Sequence, residues 1–354
     1  MCVKLTVSSE TKDIFFQLLR RALDNSKQME LPKVSDWTSV LELASVQGVQ
    51  GICLEAIEQL PAGTIPQPTL LQWIGLSEMQ RKQFEQTWRV ACKLDKLWAA
   101  EGIHATVLKG RSIAKYYPVP SHRYSCDLDV FIGEEWGCAC KLLEEQGISL
   151  VREVYKEVEF TVDNVYVECH RYITPLRGNK ILKKFESYLR ALLNGTPQNH
   201  FEGTTLVCPP LMFTVMLYIE HALGDFFQGH FMFKHIVDWV VLRRQAVDWD
   251  SFNAKCNEYK YDRFFSLIDT LADVVEGKKE YSSLPAAYQE VLDEMFQEKR
   301  PTLQGSWFQR RVQVFFDIIK NGKKFRDYGY TTMPAFLFYS VWTHFFDKEV
   351  KLQS

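Results

Sequence analysis

Asp127 and Asp129 stand one residue apart in "RYSCDLDVFIG" (123–133), a run whose other positions suit the interior of a sheet. In an extended chain, side chains at i and i+2 leave on the same face. Both carboxylates therefore aim at one point, while Leu128 and Val130 take the opposite side. Like charges this close raise each other's pKa unless a cation neutralises them, and hard carboxylate oxygens suit magnesium. In "VYVECH" (165–170) the same alternation puts Val165, Val167 and Cys169 on one face and Tyr166, Glu168 and His170 on the other. Asp127, Asp129 and Glu168 form a candidate catalytic set of metal-holding acids. Carboxylates grouped around magnesium serve in-line displacement at a phosphoryl group.

Upstream, "VLKGRS" ends a strand at Gly110 and opens a helix with Ser112 in its first turn, so backbone N–H groups could face phosphate oxygens. Lys109, Arg111 and Arg123 add positive charge there, and His170, on the face of Glu168, could touch substrate or phosphate. Taken singly, each piece also describes an ordinary strand end, hairpin surface or strand-to-helix turn. Their order along the chain is what carries the functional reading.

The elements that must hold these residues read in three parts. Residues 1–102 show helical spacing in "SSETKDIFFQLLRRAL", again through "DWTSVLELASVQGVQGICLEAI", and in one long amphipathic run ending near Gly102. Residues 103–178 switch to short strands, short helices and a hairpin turning at Asp163-Asn164, a small mixed α/β unit. Residues 179–354 return to helices, among them "PPLMFTVMLYIEHALGDFF", "FKHIVDWVVLRRQ", "WDSFNAKCNEYKYDRFFSLIDTLADVV" and "SWFQRRVQVFFDIIKNGKKF". The fold class is α+β, with all-α regions flanking the mixed unit. The aromatic clusters "FFQGHFMF" and "AFLFYSVWTHFF" read as packing surfaces, and His221, His235 and Asp238 as helix-packing residues.

With 46% hydrophobic and 24% charged residues the chain has the usage of a folded globular protein rather than a disordered one. A net charge of −2 makes long nucleic acid an unfavoured partner. Nine cysteines lack a disulfide or zinc framework, and Cys126 and Cys169 point away from the carboxylate face, so reduced core thiols are expected. The N-terminus has no signal-peptide pattern and no apolar run is long enough to span a bilayer, so the expected location is cytoplasmic, away from membranes.

The stretch "LKGRSIAKYYPVPSHRYSCDLDVFI" resembles a family of uncharacterised bacterial nucleotidyltransferases within the DNA polymerase β-like superfamily, strongly over 103–175 and more loosely into "LYIEHALG" and "KHIVDWVVL". The resemblance implies a nucleotidyltransferase core at 103–178. Asp127 and Asp129 match the metal pair, Glu168 the third acid, as metal ligand or base, and Gly110 with Ser112 the nucleotide-phosphate turn. Arg111 separates Gly110 from Ser112 here, and the third acid is a glutamate rather than an aspartate. Implied cofactors are Mg2+, with Mn2+ as a substitute, and a nucleoside triphosphate substrate, ATP being expected. The partner is an acceptor that the sequence leaves open: a small molecule, a sugar or a protein. A nucleotide-binding or regulatory module without turnover is the alternative, and a helical scaffold a third reading.

Overall fold

The computed structural model describes residues 7–24, 36–176, 179–195, 198–297 and 315–338. The chain opens with α1 (Ser9–Leu23), α2 (Trp37–Val46), α3 (Gln50–Ile57) and α4 (Gln67–Ala99). Ser8 caps α1 by accepting the Thr11 amide, and Asp36 caps α2 through the amides of Thr38 and Ser39. The run expected to continue through residues 36–57 breaks in two at Gly48, whose φ of 67° few other residues adopt at low cost.

The mixed unit then gives β1 (Thr106–Val107), α5 (Arg111–Ala114), β2 (Asp127–Phe131), α6 (Trp136–Glu145), β3 (Leu150–Glu153), β4 (Glu157–Val162) and β5 (Val165–His170). After α7 (Lys180–Asn194) the chain adds β6 (Asn199–His200) and β7 (Val207–Cys208). It ends in α8 (Leu211–Gln228), α9 (Phe233–Arg243), α10 (Trp249–Glu258), α11 (Asp262–Val275) and α12 (Ala286–Gln297), then a helix at Gly322–Tyr328. The sequence reads α10 and α11 as one helix. They part at Lys260, which takes a φ of 61°. The aromatic tail is helical over 333–338, where Phe336 packs edge-on against Phe227 and Phe325. The rest of that tail and the start of "SWFQRRVQ" lie outside the described residues.

The described strands form a seven-stranded mixed sheet in the order β3-β4-β5-β2-β1-β7-β6. β7 pairs with β1 in parallel, so the sheet reaches beyond the expected boundary at 178. Asp95 of α4 fastens that edge by accepting the Thr205 amide at 3.0 Å and its hydroxyl at 2.6 Å.

Two apolar cores result. One lies beneath the sheet, where Leu128, Val130, Val158, Phe160, Val167 and Cys169 meet α4 and α6. Each fully buried aliphatic or phenyl side chain there contributes about 1.5–3 kcal/mol. The other joins the N-terminal and C-terminal helices into one body, with Phe15 edge-on to Phe233 at 4.9 Å and to Phe296 at 6.2 Å. Helix α4, about 50 Å long at 1.5 Å per residue, serves both: Trp73 sits in the helical core and Val90, Leu94 and Trp98 in the sheet core. Among the described residues, no helix is long and apolar enough to cross a membrane.

The loop into β2 is bound to this frame. A Cβ on Gly51 of α3 would lie 2.8 Å from the His122 carbonyl oxygen, so only glycine allows that approach. Gln80 of α4 donates to the Ser121 carbonyl at 2.9 Å, and His122 Nδ1 lies 2.9 Å from Glu55 of α3.

Candidate active site

β2 and β5 run parallel and in register, with Asp129 opposite Glu168, Asp127 opposite Tyr166 and Phe131 opposite His170. β4 pairs antiparallel on the far side of β5, placing Glu159 beside Glu168 and Glu157 beside His170. Residues opposite one another share a face, so the acids gather on one side of the sheet and the apolar residues on the other, as the alternation predicts. The β4–β5 turn fixes that register: Asp163 and Asn164 both take positive φ, 48° and 63°, the pattern of a two-residue hairpin.

Positive charge is already built in. Lys109 Nζ lies 2.9 Å from Asp129 Oδ1. His170 Nε2 is 3.2 Å from the same oxygen and 3.5 Å from Glu168 Oε2, while its Nδ1 lies 3.1 Å from Glu157 Oε2. Burial pushes the Asp129 carboxyl up, but Lys109 and His170 outweigh it and hold it well below the usual range. Asp127 and Glu168 behave oppositely: burial raises both, and repulsion from Asp129 adds to it. For His170, burial and Lys156 push downward, yet Asp129, Glu168 and Glu157 prevail and the imidazole is raised. His170 is 1% exposed and lies beneath the carboxylates, within reach of Asp129, Glu168 and Glu157.

Gly110 turns the chain with φ 58° and ψ −106° and aims Lys109 at Asp129. The helix after it is a single turn. Its early amides are occupied: Ser112 N–H bonds the Lys109 carbonyl, and those of Ile113 and Ala114 bond that of Gly110. Ser112 is fully buried and its hydroxyl donates to the Val107 carbonyl at 2.5 Å, tying the turn to β1. Arg123, expected near phosphate, is committed to α9 instead, with Nε and NH2 2.7 and 2.8 Å from the two carboxylate oxygens of Asp238. Its NH1 donates to the Gly110 carbonyl at 3.3 Å, and Tyr117 donates to Asp238 at 2.6 Å. The structure therefore brings Lys109, Gly110 and Arg111 together with Asp127 and Asp129 at one cleft, with Glu168 and His170 beside Asp129, while Ser112 and Arg123 brace the turn.

That cleft is open to solvent and is bounded by Phe84 and Trp88 of α4, Lys109, Arg111, Ser125 and Asp127. The Arg111 guanidinium lies 4.1 Å from the Trp88 ring centre and 4.7 Å from that of Phe84, and it makes no ion pair among the described residues. A half-buried guanidinium ordered by two rings and lacking an anion is preorganised for one. Phe84 and Trp88 are not singled out by the sequence reading, because their helical spacing describes packing equally well.

The donor set fits a divalent cation. Asp129, Glu168 and His170 each turn one ligand atom toward a common point, all within 4.8 Å of one another. The carboxyls of Asp127 and Glu168, raised by burial and by Asp129, are those a cation would relieve. Oxygen donors suit magnesium, and an imidazole alongside them is compatible with manganese.

A family model described as an uncharacterised nucleotidyltransferase matches residues 33–275, taking in the sheet, the core beneath it and helices α2 to α11. No curated protein and no solved structure matches the chain.

Proposed function

Since the chain belongs to the uncharacterised nucleotidyltransferase family, and is on that ground a transferase of phosphorus-containing groups, we propose that it moves a nucleoside monophosphate from a triphosphate, ATP being expected, to an acceptor with release of pyrophosphate. The acceptor is a small molecule, a sugar or a protein side chain. The observation that carries this reading is the register of Asp129 with Glu168, which adds a third carboxylate to the Asp127–Asp129 face.

Asp127, Asp129 and Glu168 would hold Mg2+ or Mn2+, which when bound supplies charge stabilisation to the phosphoryl oxygens. The chain's own residues bind and orient. Lys109 and Arg111 meet the triphosphate oxygens, the guanidinium by paired N–H donors, and Gly110 lets the backbone turn beneath them. Trp88 and Phe84 fix Arg111 and limit water on that side. His170, braced by Glu157, keeps the Asp129 and Glu168 side chains apart and aimed.

The test is calorimetric titration of each nucleoside triphosphate, with magnesium and with chelator, in the parent chain and in Asp127→Asn/Asp129→Asn. Binding that disappears on chelation or in the double variant is the supporting result. A second reading, a nucleotide-binding module without turnover, draws on the Lys109–Asp129 ion pair, which already neutralises one acid internally. It would give the same affinity with metal, with chelator and without the aspartates.

A further inference from the structure

A second cleft, open to solvent, lies beyond Lys109, between α8, α9 and the turn before α5, and its walls include Lys109, Arg123, Thr214, His221, Lys234 and His235. Three ionisable side chains are linked in it. His235 Nδ1 lies 3.0 Å from the Met232 amide nitrogen and 3.2 Å from the Met232 carbonyl oxygen, and its Nε2 lies 2.9 Å from Asp225 Oδ2. Phe231 stacks on that ring at 5.3 Å. The same Asp225 oxygen lies 3.5 Å from Nε2 of His221, one helical turn earlier on α8. The side chains of His235, Asp225 and His221 are 2%, 20% and 38% exposed, so the series runs from the packed interior to the open cleft.

A carboxylate fixed by one imidazole and facing the Nε2–H of another leaves the outer ring's Nδ1 lone pair pointing away from it. None of the described residues bonds the Nδ1 of His221. Enclosure by the helices and the nearby Lys109 ammonium hold the His221 imidazole well below its ordinary value, against the pull of Asp225 and Asp129, so the ring is neutral. The two clefts meet at Lys109. An in-line displacement places the incoming and leaving groups on opposite sides of the phosphorus, and Lys109 reaches both clefts.

We propose that this second cleft takes the acceptor, that the acceptor's reacting group is a hydroxyl, and that His221 is its general base, with Asp225 and His235 as positioning residues. The inference rests on the nucleotidyl-transfer reading. The hydroxyl proton passes to Nδ1 of His221 while the oxygen's electron pair forms the bond to the α-phosphorus. The bond from that phosphorus to the oxygen bridging the β-phosphate breaks, and pyrophosphate leaves with that electron pair. Glu168 is then free to serve the metal rather than the nucleophile.

Water is the smallest hydroxyl donor and fills an open cleft, so the probe is slow conversion of ATP to AMP and pyrophosphate by the full chain with Mg2+ or Mn2+, measured beside ATP affinity. Replacing the base with His221→Ala is expected to lower hydrolysis about 100-fold at parental ATP affinity, and added imidazole to restore at least about tenfold of it. His221→Gln, which fills the site without a basic nitrogen, should show the same loss with an unchanged melting temperature. Asp225→Asn should lose about tenfold without imidazole rescue. A parent that binds ATP yet hydrolyses it no faster than buffer, a His221→Ala chain at the parental rate, or a loss that imidazole leaves untouched overturns the acceptor cleft while sparing the nucleotide site. A parent that binds no ATP overturns the nucleotide reading and this proposal with it.

Discussion

Lys109 Nζ lies 2.9 Å from Oδ1 of Asp129, and the two side chains are only 20% and 3% exposed. At this burial the ion pair is strong in both directions: it neutralises Asp129, and it repels any second cation brought to the same carboxylates. Lys109→Met should therefore bind Mn2+ alone about tenfold more tightly, bind ATP more weakly, and lose about 3 kcal/mol of stability because Asp129 stays buried with less compensation. Calorimetry with Mn2+ and urea unfolding measure the two effects. An unchanged Mn2+ affinity would show that the ammonium does not oppose a cation there.

The Arg123–Asp238 pair holds the Lys109 turn from behind. Arg123→Met leaves Asp238, 2% exposed, with the Tyr117 hydroxyl as its remaining partner among the contacts described, and should cost about 4 kcal/mol. Adding Asp238→Leu removes the orphaned charge and should recover at least half of that loss. A double-mutant cycle by urea unfolding tests this, and simple additivity of the two substitutions would contradict it.

Gly110 combines φ 58° with ψ −106°, and a Cβ there would lie 3.3 Å from Ser125 Oγ. Gly110→Ala is expected to lose about 1–2 kcal/mol from backbone strain and, by displacing Lys109, to weaken ATP binding. Thermal melts and calorimetry on the same preparation suffice. Parental values in both would mean that the turn tolerates a side chain.

Stability at low pH should depend on Glu276 at the end of α11. Burial pushes its carboxyl up, but hydrogen bonds from Lys278, Arg244 and Arg243 outweigh it and hold the group at about 2 against an ordinary 4.5. The unfolded chain takes up the proton first, so the contribution is complete above pH 4.5 and lost as pH falls from there toward 2. Allowing for the solvent around Lys278 and Arg244, it amounts to about 2 kcal/mol. Glu276→Gln should therefore narrow the gap to the parent as the pH drops through that window. A gap independent of pH would place the stabilisation elsewhere.

The acidic face was legible because strand alternation is a local property: Asp127, Asp129 and Glu168 each follow from period two, and Asp163-Asn164 announces its own turn. β6 and β7 span two residues each, too short for a period to register, so the extension of the sheet past residue 178 was not. The break at Gly48 hides in apolar spacing that continues through it. Arg123 shows why charge alone misleads. Its sequence neighbours suggested phosphate, but the partner that claims it stands 115 residues away on α9. A similar separation hid the second cleft, since Lys109 and His221 line it together only when α8 packs against the strand turn.

The pairing of Thr106 with Val207, and of Arg123 with Asp238, also sets an order of assembly. On a chain emerging from the ribosome N-terminus first, the hairpin with Glu168 is complete while α9 is still unmade. Closing so long a loop costs little more than closing a short one, so the delay comes from the order of synthesis rather than from energy. Nascent chains that stop short of residue 238 carry every carboxylate of the acidic face but lack the anchor of the Lys109 turn.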